Sequence, residues 1–150
     1  MPAPNERFAT VLTRMTGAIC AGDADRAAAC FIPDGVYHDH FYGEFKGRDH
    51  IADMVRNFFH RDAKDFTWTV ADAVSDGRLG YARYDFSYVS TVKGSEGRRA
   101  GFSGISCCQL EGDLIRRYSE VFERAPVLAK LGFPDERILK AVRRWAEKGG

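Results

Sequence analysis

From Phe66 to Glu123 the chain reads as four consecutive strands joined by turns, and this meander constrains the fold more than any other feature. Residues 66–75 (FTWTVADAVS) alternate and end at Asp76-Gly77, a hairpin dipeptide. Residues 79–92 (LGYARYDFSYVSTV) are rich in aromatic and β-branched side chains that suit a pleated surface. A glycine-containing loop, Lys93 to Arg98, leads into a strand over 100–110. The tight Glu111-Gly112-Asp113 turn then returns the chain through 114–123. Successive strands joined by such turns pair antiparallel, and one face of the sheet needs a cover.

The cover precedes the meander. Phe8, Val11, Leu12, Met15 and Ile19 recur at helical spacing. Gly22 ends that helix, and Asp23 caps a second one expected over 24–31. Pro33-Asp34-Gly35 is a turn signal, followed by a short strand from Val36 to Asp39. Gly43 and Gly47 bracket another extended piece, and Ile51, Met54, Val55, Phe58 and Phe59 mark a third helix. Pro126 ends the sheet, and Pro134 opens a last helix with Ile138, Leu139, Val142 and Trp145 on one face. The expected fold is α+β: a curved antiparallel sheet wrapped by N-terminal helices into a cone, with an extra C-terminal helix. One domain is expected over 1–150, with its core at 6–124 and a helical extension at 125–150.

Several function classes fall away on composition. Twenty-two Lys and Arg against 21 Asp and Glu leave a net charge of +1, too little basic field for a nucleic-acid partner. No apolar run approaches the ~18 residues of a membrane span. The segment MPAPNERFATVLTRM lacks the continuous apolar stretch of a signal peptide, so a cytoplasmic location is expected. The four cysteines form no C-x-x-C pair, which fits reduced thiols. Neither G-x-G-x-x-G nor a Walker pattern is present, and no cofactor is expected. His38 and His40 project together, but His50 and His60 lie ten apart on the third helix and supply no convergent third ligand, so no metal is expected.

Strand alternation places Tyr37 with Asp39, Arg83 and Asp85 with Tyr81 and Ser87, and Glu120 with Tyr118 and Phe122. Charges inside largely apolar strands are tolerated when paired. The expectation is therefore that Arg83, Asp85 and Glu120 converge on the cavity, with Arg83 bridging the two acids. Such an arrangement would split the carboxyl pKa values into one acid and one base. Ordinary cross-strand pairs on a wet face are the alternative. Phe58, Phe59, Trp68, Tyr81, Phe102 and Tyr118 are expected along the cavity wall. The row Ala82, Tyr84, Phe86 and Tyr88 then falls on the outer face, too apolar for water, which implies a homodimer through that face.

Three segments carry a resemblance: AGDADRAAACFIPDGVYHD, GRDHIADMVRNFF and the closing strand RRYSEVF. Over residues 6–124 the chain resembles the nuclear-transport-factor-two-like superfamily. That group includes ketosteroid isomerase, limonene epoxide hydrolase, scytalone dehydratase and the SnoaL-like polyketide cyclases. By resemblance to the isomerase, Asp39 is the candidate general base. Met15 and Ser106 stand where that enzyme has its oxyanion donors, and a Met donates no hydrogen bond, so steroid isomerisation is not implied. By resemblance to the epoxide hydrolase, Arg83 and Asp85 match its Arg-x-Asp, Glu120 its last-strand acid and Tyr37 its water-holding Tyr, with Asp39 in place of an Asn. The resemblance implies a cofactor-independent isomerase, lyase or hydrolase acting on a small hydrophobic molecule. The catalytic candidates are Asp39, Arg83, Asp85, Glu120 and Tyr37. Binding candidates are Met15, Phe58, Trp68, Tyr81, Phe102, Ser106 and Tyr118. A non-catalytic ligand binder, or an interaction module with a filled cavity, is the alternative.

Overall fold

The computed structural model describes residues 2–149. Helix α1 (Pro4–Ala21) buries its whole stripe of Phe8, Val11, Leu12, Met15 and Ile19. Such burial is worth ~1.5–3 kcal/mol for each large side chain. Gly22 ends it at φ 75°, its N–H turned back to the Ala18 and Ile19 carbonyls. Helix α2 (Ala24–Ala28) is capped by Asp23, which accepts from the Arg26 N–H at 3.2 Å. It is shorter than expected because the chain is already extended at Phe31.

Strands β1 (Phe31–Asp39) and β2 (Gly43–Lys46) form an antiparallel hairpin. The expected turn at Pro33-Asp34-Gly35 is instead an irregularity inside β1, where pairing skips from Phe31 to Val36. The long meander follows as β3 (Ala63–Ser75), β4 (Leu79–Ser90), β5 (Arg99–Glu111) and β6 (Leu114–Val121). The order across the sheet is β2-β1-β6-β5-β4-β3. Every contact is antiparallel except β1 with β6, which is parallel because the long crossover through the helices and meander separates them. Between them in sequence lie α3 (Arg48–Met54), a π-helical turn (Val55–Phe59) and the short α4 (His60–Asp62), one continuous helical rod.

Two breaks in register bend β3, between Lys64 and Thr67 and between Ala71 and Val74. Each contains an aspartate in the left-handed region, Asp65 at φ 52° and Asp72 at φ 55°. The sheet thereby curls around α1 and the π-helical rod without closing. Beyond β6, helix α5 (Ala125–Lys130) lies against β5, and α6 (Asp135–Glu147) packs on α5.

Register sorts the two faces. Trp68, Phe86 and Phe102 stand opposite one another on the concave side, as do Val70, Tyr84 and Gly104, and Ala82, Ser106 and Glu120. The convex side carries the rows Ala71–Arg83–Ile105–Val121 and Val74–Tyr81–Cys107–Ser119. The expected faces of β4 are thus reversed. Ala82, Tyr84, Phe86 and Tyr88 point inward, and Tyr81, Arg83 and Asp85 point out.

Candidate active site

The concave face, α5 and the end of the helical rod enclose a cavity of about 280 Å3. Eleven of its twenty-one lining residues are aromatic. The β-meander contributes Phe66, Trp68, Phe86, Tyr88 and Phe102. The π-helical turn contributes Phe59, because its extra residue rotates the end of the rod away from a regular helical stripe. Phe58 consequently turns to Phe45 and Tyr42 and does not line the cavity. Phe102 and Phe122 stack at 4.0 Å between ring centroids. The remaining wall comes from Val127, Leu128, Leu131 and Phe133, in and just after α5.

Glu120 is the polar centre. Its residue is only 9% exposed, yet it lines the cavity. Tyr84 Oη donates to Oε2 at 2.5 Å, and Tyr37 Oη donates a long 3.4 Å bond to Oε1. Tyr37 is itself stacked on Tyr118, 4.8 Å between centroids, and the Tyr118 hydroxyl exchanges a 2.9 Å hydrogen bond with Ser106. The His40 ring nitrogen Nε2 contacts the Glu120 backbone carbonyl. Burial pushes the Glu120 carboxyl up to about 7, with the Tyr84 hydrogen bond opposing and the charge of Asp39 reinforcing the shift.

Asp39, at the end of β1, holds the second carboxylate. Its Oδ1 accepts the backbone N–H groups of Phe41 and Tyr42 at 2.8 and 2.9 Å, which shapes the β1–β2 turn. Burial raises its pKa, while those two amides lower it. A third acid, Asp62, accepts from Tyr42 Oη at 2.6 Å and from two nitrogens of Arg61 at 2.7 and 2.9 Å. Arg61 holds the Asp62 carboxyl below its usual range.

Of the residues singled out from the sequence, the cavity brings together Tyr37, Asp39, Glu120, Trp68, Phe59 and Phe102. The expected Arg83–Asp85–Glu120 cluster does not form. Arg83 lies on the convex face, 3.8 Å from Asp72, with both side chains more than 70% exposed. Asp85 is exposed beside it and accepts from the Ser103 hydroxyl. Tyr81 is exposed there too. Met15 is buried in the core, and Ser106 and Tyr118 are buried against each other. None of the three lines the cavity. Sequence reasoning passed over Tyr84, Phe66, Phe86, Tyr88, Tyr42, Asp62 and the α5 wall. The apolar row on β4 was the available signal: a row too apolar for water is first of all a core row.

A family model for the SnoaL-like domain matches residues 12–118. The chain belongs to the SnoaL-like family. No curated protein matches it at a significant level. Solved structures share the SnoaL-like fold at low identity. A candidate polyketide cyclase from Xanthomonas campestris pv. campestris is 17% identical, with a TM-score of 0.70 over 87% of this chain and 100% of that one. An LEH-like epoxide hydrolase from M. tuberculosis is 15% identical, with a TM-score of 0.70 over 93% of this chain and 97% of that one. A hypothetical protein with a ketosteroid isomerase-like fold from Catenulispora acidiphila DSM 44928, solved in complex with trimethylamine, is 20% identical, with a TM-score of 0.69 over 83% of this chain and 93% of that one. At these identities the likeness is one of fold, and the chemistry of this SnoaL-like protein has to be argued from its own cavity.

Proposed function

We propose that this SnoaL-like protein is a cofactor-independent enzyme that moves a proton on, or adds water to, a small hydrophobic molecule held in the cavity. One observation carries the reading: Glu120, buried and held by Tyr84, faces an aromatic cavity with a pKa of about 7. A group that is half protonated at neutral pH gives and takes a proton with equal ease. Tyr84 keeps Oε2 occupied as an acceptor, so the labile proton belongs on Oε1, where the Tyr37 contact is long. Asp39, more exposed and held by two amides that favour its ionised form, serves as base. Tyr37 and Tyr84 act as positioning residues through Glu120. Arg83 and Asp85 have no part in this scheme.

The test needs no knowledge of the natural substrate. A cyclic ketone small enough for the cavity exchanges its α-protons in D2O, and NMR follows the rate. Wild-type protein is expected to accelerate exchange, and Glu120→Gln to abolish the acceleration. A ketone that saturates the cavity without accelerated exchange would overturn the catalytic reading in favour of a ligand-binding protein.

Self-association belongs to the same proposal. The convex face carries Val74, Tyr81, Ile105 and Val121, all exposed in the single chain, and Val121 is 65% exposed. A homodimer through this face removes them from water. The four cysteines are unpaired, which fits a reducing compartment such as the cytoplasm. No helix among the described residues is long and apolar enough to cross a membrane.

A further inference from the structure

The charge inventory of the cavity is one-sided. Among the described residues its lining includes Asp39, Asp62 and Glu120 but no lysine, arginine or histidine. Asp62 has its counter-charge in Arg61. Asp39 and Glu120 have none: they take backbone amides and tyrosine hydroxyls. Asp39 Oδ2 receives no protein donor among the described residues. The nearby cations are committed elsewhere. Arg124 donates to the His40 carbonyl at 3.2 Å and lies 4.1 Å from the Trp145 ring centroid. Arg61 lies over Phe58 at 5.1 Å. His40 points its Nε2 at the Glu120 main chain, and His38 accepts from Arg117 on the far side of the hairpin.

The walls repeat the same preference. Phe66, Trp68, Phe86, Phe102 and Phe122 line one volume, and the face of an aromatic ring attracts a cation. An anionic ligand would meet two acids without a counter-charge and, among the described lining residues, no cation to receive it. The volume sits just below the low end of small-molecule sites, ~300 to 1,000 Å3, which suits one ring or a short branched chain.

We infer that the ligand of this cavity is a hydrophobic organic cation, an amine or ammonium whose charge lies against Asp39 and Glu120 and whose apolar part fills the aromatic cage. This rests on reading the cavity as the ligand site, and deepens that reading by naming the ligand class.

Two probes of the same shape separate charge from shape: phenyltrimethylammonium and tert-butylbenzene, with benzenesulfonate as the anion. Binding at pH 8 is read from the indole N–H resonance of Trp68. The ammonium is expected to bind about tenfold more tightly than its neutral isostere, the range of a desolvated cation–π contact. The sulfonate is expected not to bind. Asp39→Asn, which keeps an oxygen for the Phe41 and Tyr42 amides, should cut the ammonium preference severalfold and leave tert-butylbenzene unchanged. Glu120→Gln provides a second variant should the first fail to fold. Equal or tighter binding of tert-butylbenzene, or an unchanged ratio in both variants, would overturn the inference while leaving the cavity reading intact. If no probe moves the Trp68 resonance, the cavity reading fails with it.

Discussion

Tyr84 Oη reaches Glu120 Oε2 across the full width of strand β5, and Gly104 lets it pass. Tyr84 pairs directly with Gly104, and a Cβ at that glycine would stand 2.6 Å from Tyr84 Oη and 2.5 Å from the Val121 carbonyl. Gly104→Ala is therefore expected to displace the tyrosine. Overpacking of this kind costs ~1–3 kcal/mol, and denaturant melts read it directly. The same substitution should raise the Glu120 pKa, because a donor to the ionised form is lost.

Tyr84→Phe isolates that hydrogen bond without the steric effect. Tyr84 lowers the pKa of a carboxyl that burial raises, so the variant should titrate above about 7. Hydrogen bonds to charged groups are worth ~1.5–3 kcal/mol, and the loss should appear at pH 8, where Glu120 is ionised, more than at pH 5. Carbon-detected NMR of the carboxyl group gives the titration. An unmoved midpoint would remove Tyr84 from the site.

Glu120 also makes stability depend on pH with a definite sign. Its folded pKa, about 7, lies above the ordinary glutamate value of 4.5. The native state therefore holds a proton that the unfolded chain releases. Its stabilising contribution is complete below pH 4.5 and is lost as pH rises to 7. A gap of that size between the folded and unfolded values corresponds to a loss of roughly 3 kcal/mol. Glu120→Gln removes the dependence. Melts at pH 5 and pH 8 should show the variant gaining on wild type at the higher pH.

Arg83→Ala provides the opposite control. Its nearest acid is Asp72 at 3.8 Å, in water on both sides. The expected loss is under about 1 kcal/mol and the same at pH 5 and pH 8. A loss of several kcal/mol, larger at pH 8, would return Arg83 to the cavity.

Ile105→Lys places a charge in the middle of the exposed convex row. Light scattering at micromolar concentration should find wild type as a dimer and the variant as a monomer. A wild-type monomer would dispose of the interface.

Besides the reversed faces of β4, one bulge separates Arg83 from Glu120. In the turn from β5 to β6, Glu111 pairs with Leu114 and Leu110 with Ile115. Continued without interruption, that register sets Glu120 opposite Ile105, which is itself opposite Arg83. Arg83 and Glu120 would then share a face, as the sequence suggested. A bulge between Gln109 and Leu110 shifts the pairing by one, so that Glu120 stands opposite Ser106 and every later side chain of β6 changes sides. Nothing in the residues Leu114-Ile115-Arg116-Arg117 announces the extra residue. The α1 stripe, by contrast, was legible throughout, because helical spacing needs no partner to define its buried face. Asp39 and Tyr37 were legible for a similar reason: they follow a recognisable opening segment in sequence. The π-helical turn that separates Phe59 from Phe58 left no such trace.

The α5 wall has a consequence for how binding preference can change. Val127, Leu128, Leu131 and Phe133 lie in and just after α5, while Tyr37, Tyr84 and Glu120 lie on strands β1, β4 and β6. Under the proposed function, this apolar part of the wall is thus encoded apart from the strands that carry the proton chemistry. Exchanging the short segment from Val127 to Phe133 would alter which molecules fit, and the tyrosine-held carboxylate would be inherited unchanged.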